Sequence, residues 1–144
     1  MYKRILLPSD GSDVTNKAVQ QAVVLAKLTG GELFVLSVKE PFPYSAISEM
    51  QPVPPQEFYD AQERIAAQRV ASAVQAAQAA GVTCHGHTVE ALHPWEAILD
   101  HAGTQNCDLI VMASHGRRGI AALLLGSETQ RVLIHSKLPV LVVR

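Results

Sequence analysis

Leu109-Ile110-Val111-Met112-Ala113-Ser114-His115-Gly116 opens, and Gly126-Ser127-Glu128-Thr129-Gln130 closes, the stretch that decides the fold. The apolar run from Leu109 to Met112 reads as a strand buried on both faces, as in a parallel sheet covered by helices on each side. Residues 113 to 125 read as a loop bounded by Gly116 and Gly126, and Ser127 to His135 as a helix. Glycine lets an anion approach the main chain with no side chain in the way. The free N–H groups at a helix start point at whatever anion is present. Ser127 and Thr129 offer hydroxyl donors, and Arg117 and Arg118 offer charge. The plainer reading of the same residues is turn chemistry, with Ser127-x-x-Gln130 as a capping box. The loop is not a Walker A loop, since no lysine follows Gly126, and it is not GxGxxG.

The rest of the chain alternates in the same way. Ile5-Leu6-Leu7 is a short apolar run ended by Pro8 and the turn residues Asp10-Gly11-Ser12. Ala18, Val19, Ala22, Val23 and Ala26 recur at helical spacing until Thr29-Gly30-Gly31. Leu33 to Val38 reads as a second strand. Residues 39 to 56 hold five of the eight prolines and read as a long loop, of a length often tied to function. Phe58 to Ala80 reads as a helix whose Ile65, Val70, Val74 and Ala77 face the sheet. Val82 to Val89 is more polar and reads as an edge strand. His93-Pro94 starts a helix carrying Trp95, Ile98 and Leu99 inward, with Pro94 at the first helical position. Val140 to Val143 is the last strand. This β-α-β-α-β-α-β-α-β order predicts one α/β domain over residues 1–144, with a parallel sheet and right-handed crossovers. Ligands of such sheets lie at the carboxyl ends of the strands, where the winding reverses.

Composition narrows the partners. The chain has 144 residues, 48% of them apolar and 17% charged, with a formal net charge of −1. A domain of this size buries roughly 70% of its unfolded surface. No basic cluster points to nucleic acid, and no window approaches a membrane span. Cys84 and Cys107 lack CxxC spacing and read as reduced thiols. The N-terminus lacks the apolar stretch of a signal peptide, so a cytoplasmic protein is expected.

Three motifs together resemble the universal stress protein family. They are Lys3-Arg4-Ile5-Leu6-Leu7-Pro8-Ser9-Asp10-Gly11-Ser12, Ser114-His115-Gly116 through Gly126-Ser127, and Leu138-Pro139-Val140-Leu141-Val142-Val143. The resemblance implies a three-layer, open, twisted, parallel five-stranded sheet of order 3-2-1-4-5, adenine nucleotide alpha hydrolase-like (Rossmann-like). It also implies ATP binding as a stress-response sensor or switch, with the place of Mg2+ left open. The family's ATP-binding pattern is Gly-x-x-Gly-x9-Gly-[Ser/Thr]. Gly116, Gly126 and Ser127 match it, and Ala113 stands at the first glycine position. A methyl group is thereby expected beside the ribose or phosphate, and glycine at Ala113 is expected to strengthen binding modestly. By the same resemblance Pro8, Ser9 and Asp10 wall the adenosine end, and Val38 is the backbone partner of adenine. Met112 and Ala113 lie under the ribose, while Gly116, Gly126, Ser127 and Thr129 cradle the phosphates. His115, Arg117, Gly119 and Glu128 belong to the same loop and helix start.

Other constellations weigh less. Cys84, His85 and His87 invite a metal reading, but on a strand Cys84 points away from the two histidines, and His93 or His101 would have to join. A polar edge strand explains the same residues. Ser114-His115 carries a weak catalytic reading, because adjacent residues rarely pair and no GxSxG elbow is present. No efficient enzyme is expected, only slow incidental ATP hydrolysis at most. The apolar Val140-Leu141-Val142-Val143 strand is an edge that invites pairing with another chain, and the resemblance implies a homodimer through it. The alternative is a nucleotide-free family member acting as a dimeric interaction protein.

Overall fold

The computed structural model describes residues 1–41, 55–116 and 125–144. The elements are β1 (Arg4–Pro8), α1 (Asp13–Thr29), β2 (Glu32–Lys39), α2 (Gln56–Ala79), β3 (Cys84–Glu90), α3 (Pro94–Thr104), β4 (Leu109–Ala113), α4 (Ser127–His135) and β5 (Val140–Val143). All five strands join one parallel sheet of order β3-β2-β1-β4-β5, as expected. Parallel neighbours need crossovers, and the alternating helices supply them.

Each face of the sheet has its own core. On one, Ile5, Leu7, Leu33, Val35, Leu109 and Val111 pack beneath α1 and α2. On the other, Leu6, Phe34, Leu36, Ile110 and Met112 pack beneath α3 and α4. The alternation of side chains along each strand explains this sorting. Fully burying each of these large apolar groups contributes about 1.5–3 kcal/mol. Helix α1 buries the Ala18, Val19, Ala22, Val23 and Ala26 stripe and ends at Gly30, whose φ of 66° favours glycine.

Two local expectations need correction. In α2 the buried residues are Ala66, Ala73 and Ala77, whereas Ile65 is 38% exposed and does not face the sheet. The helix lays Val70 and Val74 directly onto β3. A Cβ on Gly86 of β3 would lie 2.2 Å from Val70 Cγ1, so glycine sets that approach. The capping box does not form either. Gly126 is the N-cap of α4, Ser127 is already helical, and the Gln130 side chain donates to the Leu125 carbonyl.

Strands β3 and β5 are the two edges. Among the described residues, no helix is long and apolar enough to cross a membrane.

Candidate functional site

The winding reverses between β1 and β4. From β1 the chain steps through α1 and α2 toward β3, then crosses to β4 and β5 on the far side. The loops leaving β1 and β4 therefore diverge to opposite faces of the sheet and leave a crevice between them. Ser9, Asp10 and Gly11 form one wall, and Ser114, His115 and Gly116 the other.

The β1 wall is held by hydrogen bonds. The Ser9 N–H donates to the Leu36 carbonyl, tying the turn to β2. Asp10 Oδ1 accepts from the Ser12 N–H at 2.9 Å and from the Thr15 hydroxyl at 2.6 Å. Ser12 Oγ in turn accepts the Thr15 N–H and caps α1. The carboxylate is thus fixed in orientation, and its other oxygen faces the β4 loop. A Cβ built on Gly116 would lie 2.5 Å from Asp10 Oδ2.

The β4 loop is pinched shut at its base. The Gly126 N–H donates to the Ser114 carbonyl at 2.7 Å. A Cβ on Gly126 would stand 3.1 Å from His115 Cα, so the two ends of the loop touch through backbone. The φ of Gly126 is −61°, which any residue adopts. Glycine is needed here for close approach, not for conformational freedom.

The helix N-termini at this end of the sheet differ in a way that matters for anions. Ser12 caps α1, and the Glu128 carboxylate accepts the Trp95 N–H at 2.8 Å in the first turn of α3. Among the described residues no side chain caps α4, whose N-cap is Gly126, and none caps α2, whose N-cap is Pro55. The α4 start lies against Ser114 and His115, so the positive end of its dipole, which favours anions, sits at the β4 wall of the crevice.

Several residues singled out in the sequence prove to have structural duties. Ala113 belongs to the buried cluster under α1, and its methyl group packs there. Its carbonyl accepts the Thr129 hydroxyl at 2.9 Å. Thr129 is buried, and its hydroxyl proton is directed at that carbonyl. Glu128 turns to Trp95, as above. Met112 is buried in the second core, and half-buried Val38 packs against the same cluster. Pro8 ends β1 opposite Leu36. Arg117, Arg118 and Gly119 lie outside the described residues.

Ser114 and His115 do pair, contrary to expectation. Ser114 Oγ and His115 Nδ1 share a hydrogen bond of 3.0 Å, possible because the backbone turns sharply after β4. Sequence reasoning also missed Arg69. Its Cγ lies 3.0 Å from where a Gly11 Cβ would stand, and it lines a hollow of about 450 Å³ between α1 and α2 with Ser9, Asn16 and Gln20. No periodicity marks it, because the residue it meets lies on another element.

Cys84 and Cys107 are free, and burial pushes each thiol up to about 11. For Cys107, Arg4 opposes the shift and Asp108 adds to it.

A doubly wound parallel sheet of this strand order, with helices on both faces, defines an α/β protein of the Rossmann-like, adenine nucleotide alpha hydrolase-like fold class. Within that class the chain belongs to the universal stress protein family, whose profile matches residues 1–144. A relative from Thermus aquaticus, described as a universal stress protein, is 33% identical over 144 residues and covers both chains completely. Among solved structures, protein MJ0577 of Methanocaldococcus jannaschii superposes with a TM-score of 0.84 at 28% identity, over 99% of this chain and 96% of that one. A universal stress protein solved in complex with cAMP gives a TM-score of 0.73 at 28% identity, over 99% and 97%.

Proposed function

We propose that this protein binds ATP in the crevice between β1 and β4 and serves as a cytoplasmic, homodimeric stress-response sensor or switch. One observation carries the reading. The uncapped N-terminus of α4 opens beside Gly116 and Asp10, with Gly126 holding the loop base shut behind it. Phosphates fit the α4 end, where main-chain N–H groups and Ser127 donate. The nucleoside fits the Asp10 end, where an oriented carboxylate accepts from hydroxyl or amino groups. The relative solved with cAMP supports an adenine nucleotide as the ligand class. The role is binding and not turnover. Among the described residues, no third group hydrogen-bonds to the His115 imidazole to orient it, as a nucleophile–base arrangement needs.

The dimer is proposed through β5. Leu141 is 42% exposed on this edge strand, and Ile134 on the adjoining α4 is 75% exposed. An apolar edge of this kind is covered by pairing with a second copy. The same feature favours the second reading, in which the dimer itself is the working unit and no nucleotide is held.

The test is calorimetry with ATP, AMP and cAMP, with and without Mg2+, on protein stripped of carried-over nucleotide. Gly126→Asp is run alongside, because it sets a carboxylate against His115 and the phosphate site. Saturable binding that this variant loses supports the nucleotide reading. Absence of binding at millimolar ATP leaves the dimer as the functional unit.

A further inference from the structure

His87 of β3 and His101 of α3 are fourteen positions apart in sequence and meet across the open edge of the sheet. Their ring centres lie 4.8 Å apart with a 60° tilt between the planes. The geometry differs from the two other histidine contacts. His85 stacks on Phe34 and His135 on Trp95, each within 26° of parallel.

Three buried side-chain polar atoms among the described residues lack a hydrogen-bond partner, and two of them are His87 Nδ1 and His101 Nε2. An imidazole nitrogen always has either a proton to give or a lone pair to fill. Leaving one buried and unpaired forfeits its hydration with nothing in return, so two in one contact call for a physical reason. Packing alone does not give one, since two apolar side chains would fill the space without that cost.

We propose that His87 and His101 form a binding site for a borderline divalent transition-metal ion, such as Ni2+, Cu2+ or Zn2+. Two imidazoles bound to one ion through bonds of about 2.0–2.1 Å have ring centres roughly 5 Å apart at a tetrahedral or square angle. The observed separation fits that arrangement. Neutral rings are the form that ligates.

The neighbouring candidates are excluded by direction. Cys84 points to the opposite face, where it packs against the core beneath α2. His85 is engaged by Glu32 at 2.6 Å and by the Phe34 ring. Among the described residues no third histidine, cysteine, aspartate or glutamate joins the pair. The site is therefore an open one with two protein ligands. β3 is an edge strand and both histidines are half-buried, so the pair lies close to the open edge of the sheet. An ion held there would bridge β3 to α3. The proposal is independent of nucleotide binding.

The probe is NiCl2, titrated calorimetrically into the tag-free, EDTA-stripped full chain without nucleotide. One ion per chain is expected, with affinity reduced roughly tenfold or more in both His87→Gln and His101→Gln. Thermal melts establish that each variant folds, and the parent alone should gain melting temperature with Ni2+. A Cu2+-loaded sample should show two imidazole nitrogens by electron paramagnetic resonance. Unchanged Ni2+ affinity in either folded variant overturns the proposal. So does the absence of saturable binding by the parent.

Discussion

Gly116 stands so close to Asp10 that a Cβ at position 116 would lie 2.5 Å from the carboxylate oxygen Oδ2. This contact joins the loops after β1 and β4 and sets the width of the crevice between them. Asp10 cannot swing away freely, since its other oxygen accepts from the Ser12 N–H and the Thr15 hydroxyl.

Gly116→Ala should therefore push the carboxylate off its two donors or force the loop outward. We expect nucleotide affinity to fall about tenfold, equivalent to about 1.4 kcal/mol. Loss of the Asp10 hydrogen bonds should also lower the melting temperature, by a few degrees. Calorimetry with ATP beside a thermal melt separates the two effects. Affinity equal to that of the parent would count against this crevice as the site.

Ala113→Gly is expected to act on stability and not on binding. The methyl group is buried in the cluster under α1, and glycine in a strand adds backbone entropy to the unfolded chain. A loss of about 1 kcal/mol should appear in urea denaturation, the size of one buried methyl group. ATP affinity should stay within about twofold, since a threefold change is already some 0.65 kcal/mol. A clear gain in affinity would mean that the methyl group does reach the ligand.

The buried Cys107 and the half-buried Cys84 predict an alkaline limit to stability. Cys84 and Cys107 are both raised from 9.0 to about 11, so the folded protein holds these protons more tightly than the unfolded chain. Their contribution is full below pH 9.0 and is lost as pH rises toward about 11. Chemical denaturation at stepped pH should show stability declining through that window, less steeply in a Cys84→Ser, Cys107→Ser double variant. Rapid iodoacetamide labelling of the native protein at pH 8 would contradict the burial.

Val142→Pro tests the β5 edge without attacking the sheet. The Ile110 and Ser114 N–H groups donate to the Pro139 and Val143 carbonyls, so alternate residues of β5 face β4. Val142 lies between them in register, and its N–H points outward. Proline removes that outward donor and none of those to β4. The variant should fold and run as a monomer in analytical ultracentrifugation, with the parent a dimer. A folded variant that stayed dimeric would place the interface elsewhere.

Much of this was legible in the residues themselves. Helix, strand and turn follow from local periodicity, and the apolar runs at β1, β2 and β4 already announce strands covered on both faces. Gly116 and Gly126 bound the loop that the structure pinches shut, and Pro94 opens α3 as its missing N–H allows. The polar Val82 to Val89 stretch proved to be an edge. The strand order came through resemblance and not through periodicity, because alternation predicts crossovers without saying where each strand inserts.

What only the tertiary structure decided is which side chain meets which. Glu128 accepts the Trp95 N–H from 33 positions away, Val70 and Val74 close over Gly86, and Arg69 lies across Gly11. His87 finds His101, while its strand neighbour His85 turns to Glu32. The buried direction of the Ala113 methyl group and the exposure of Ile65 belong to the same class. A sequence window encodes backbone conformation and the sign of burial, because those depend on neighbours a few residues away. Pairings between elements depend on strand order, crossover side and helix rotation, which the whole chain settles together when it packs.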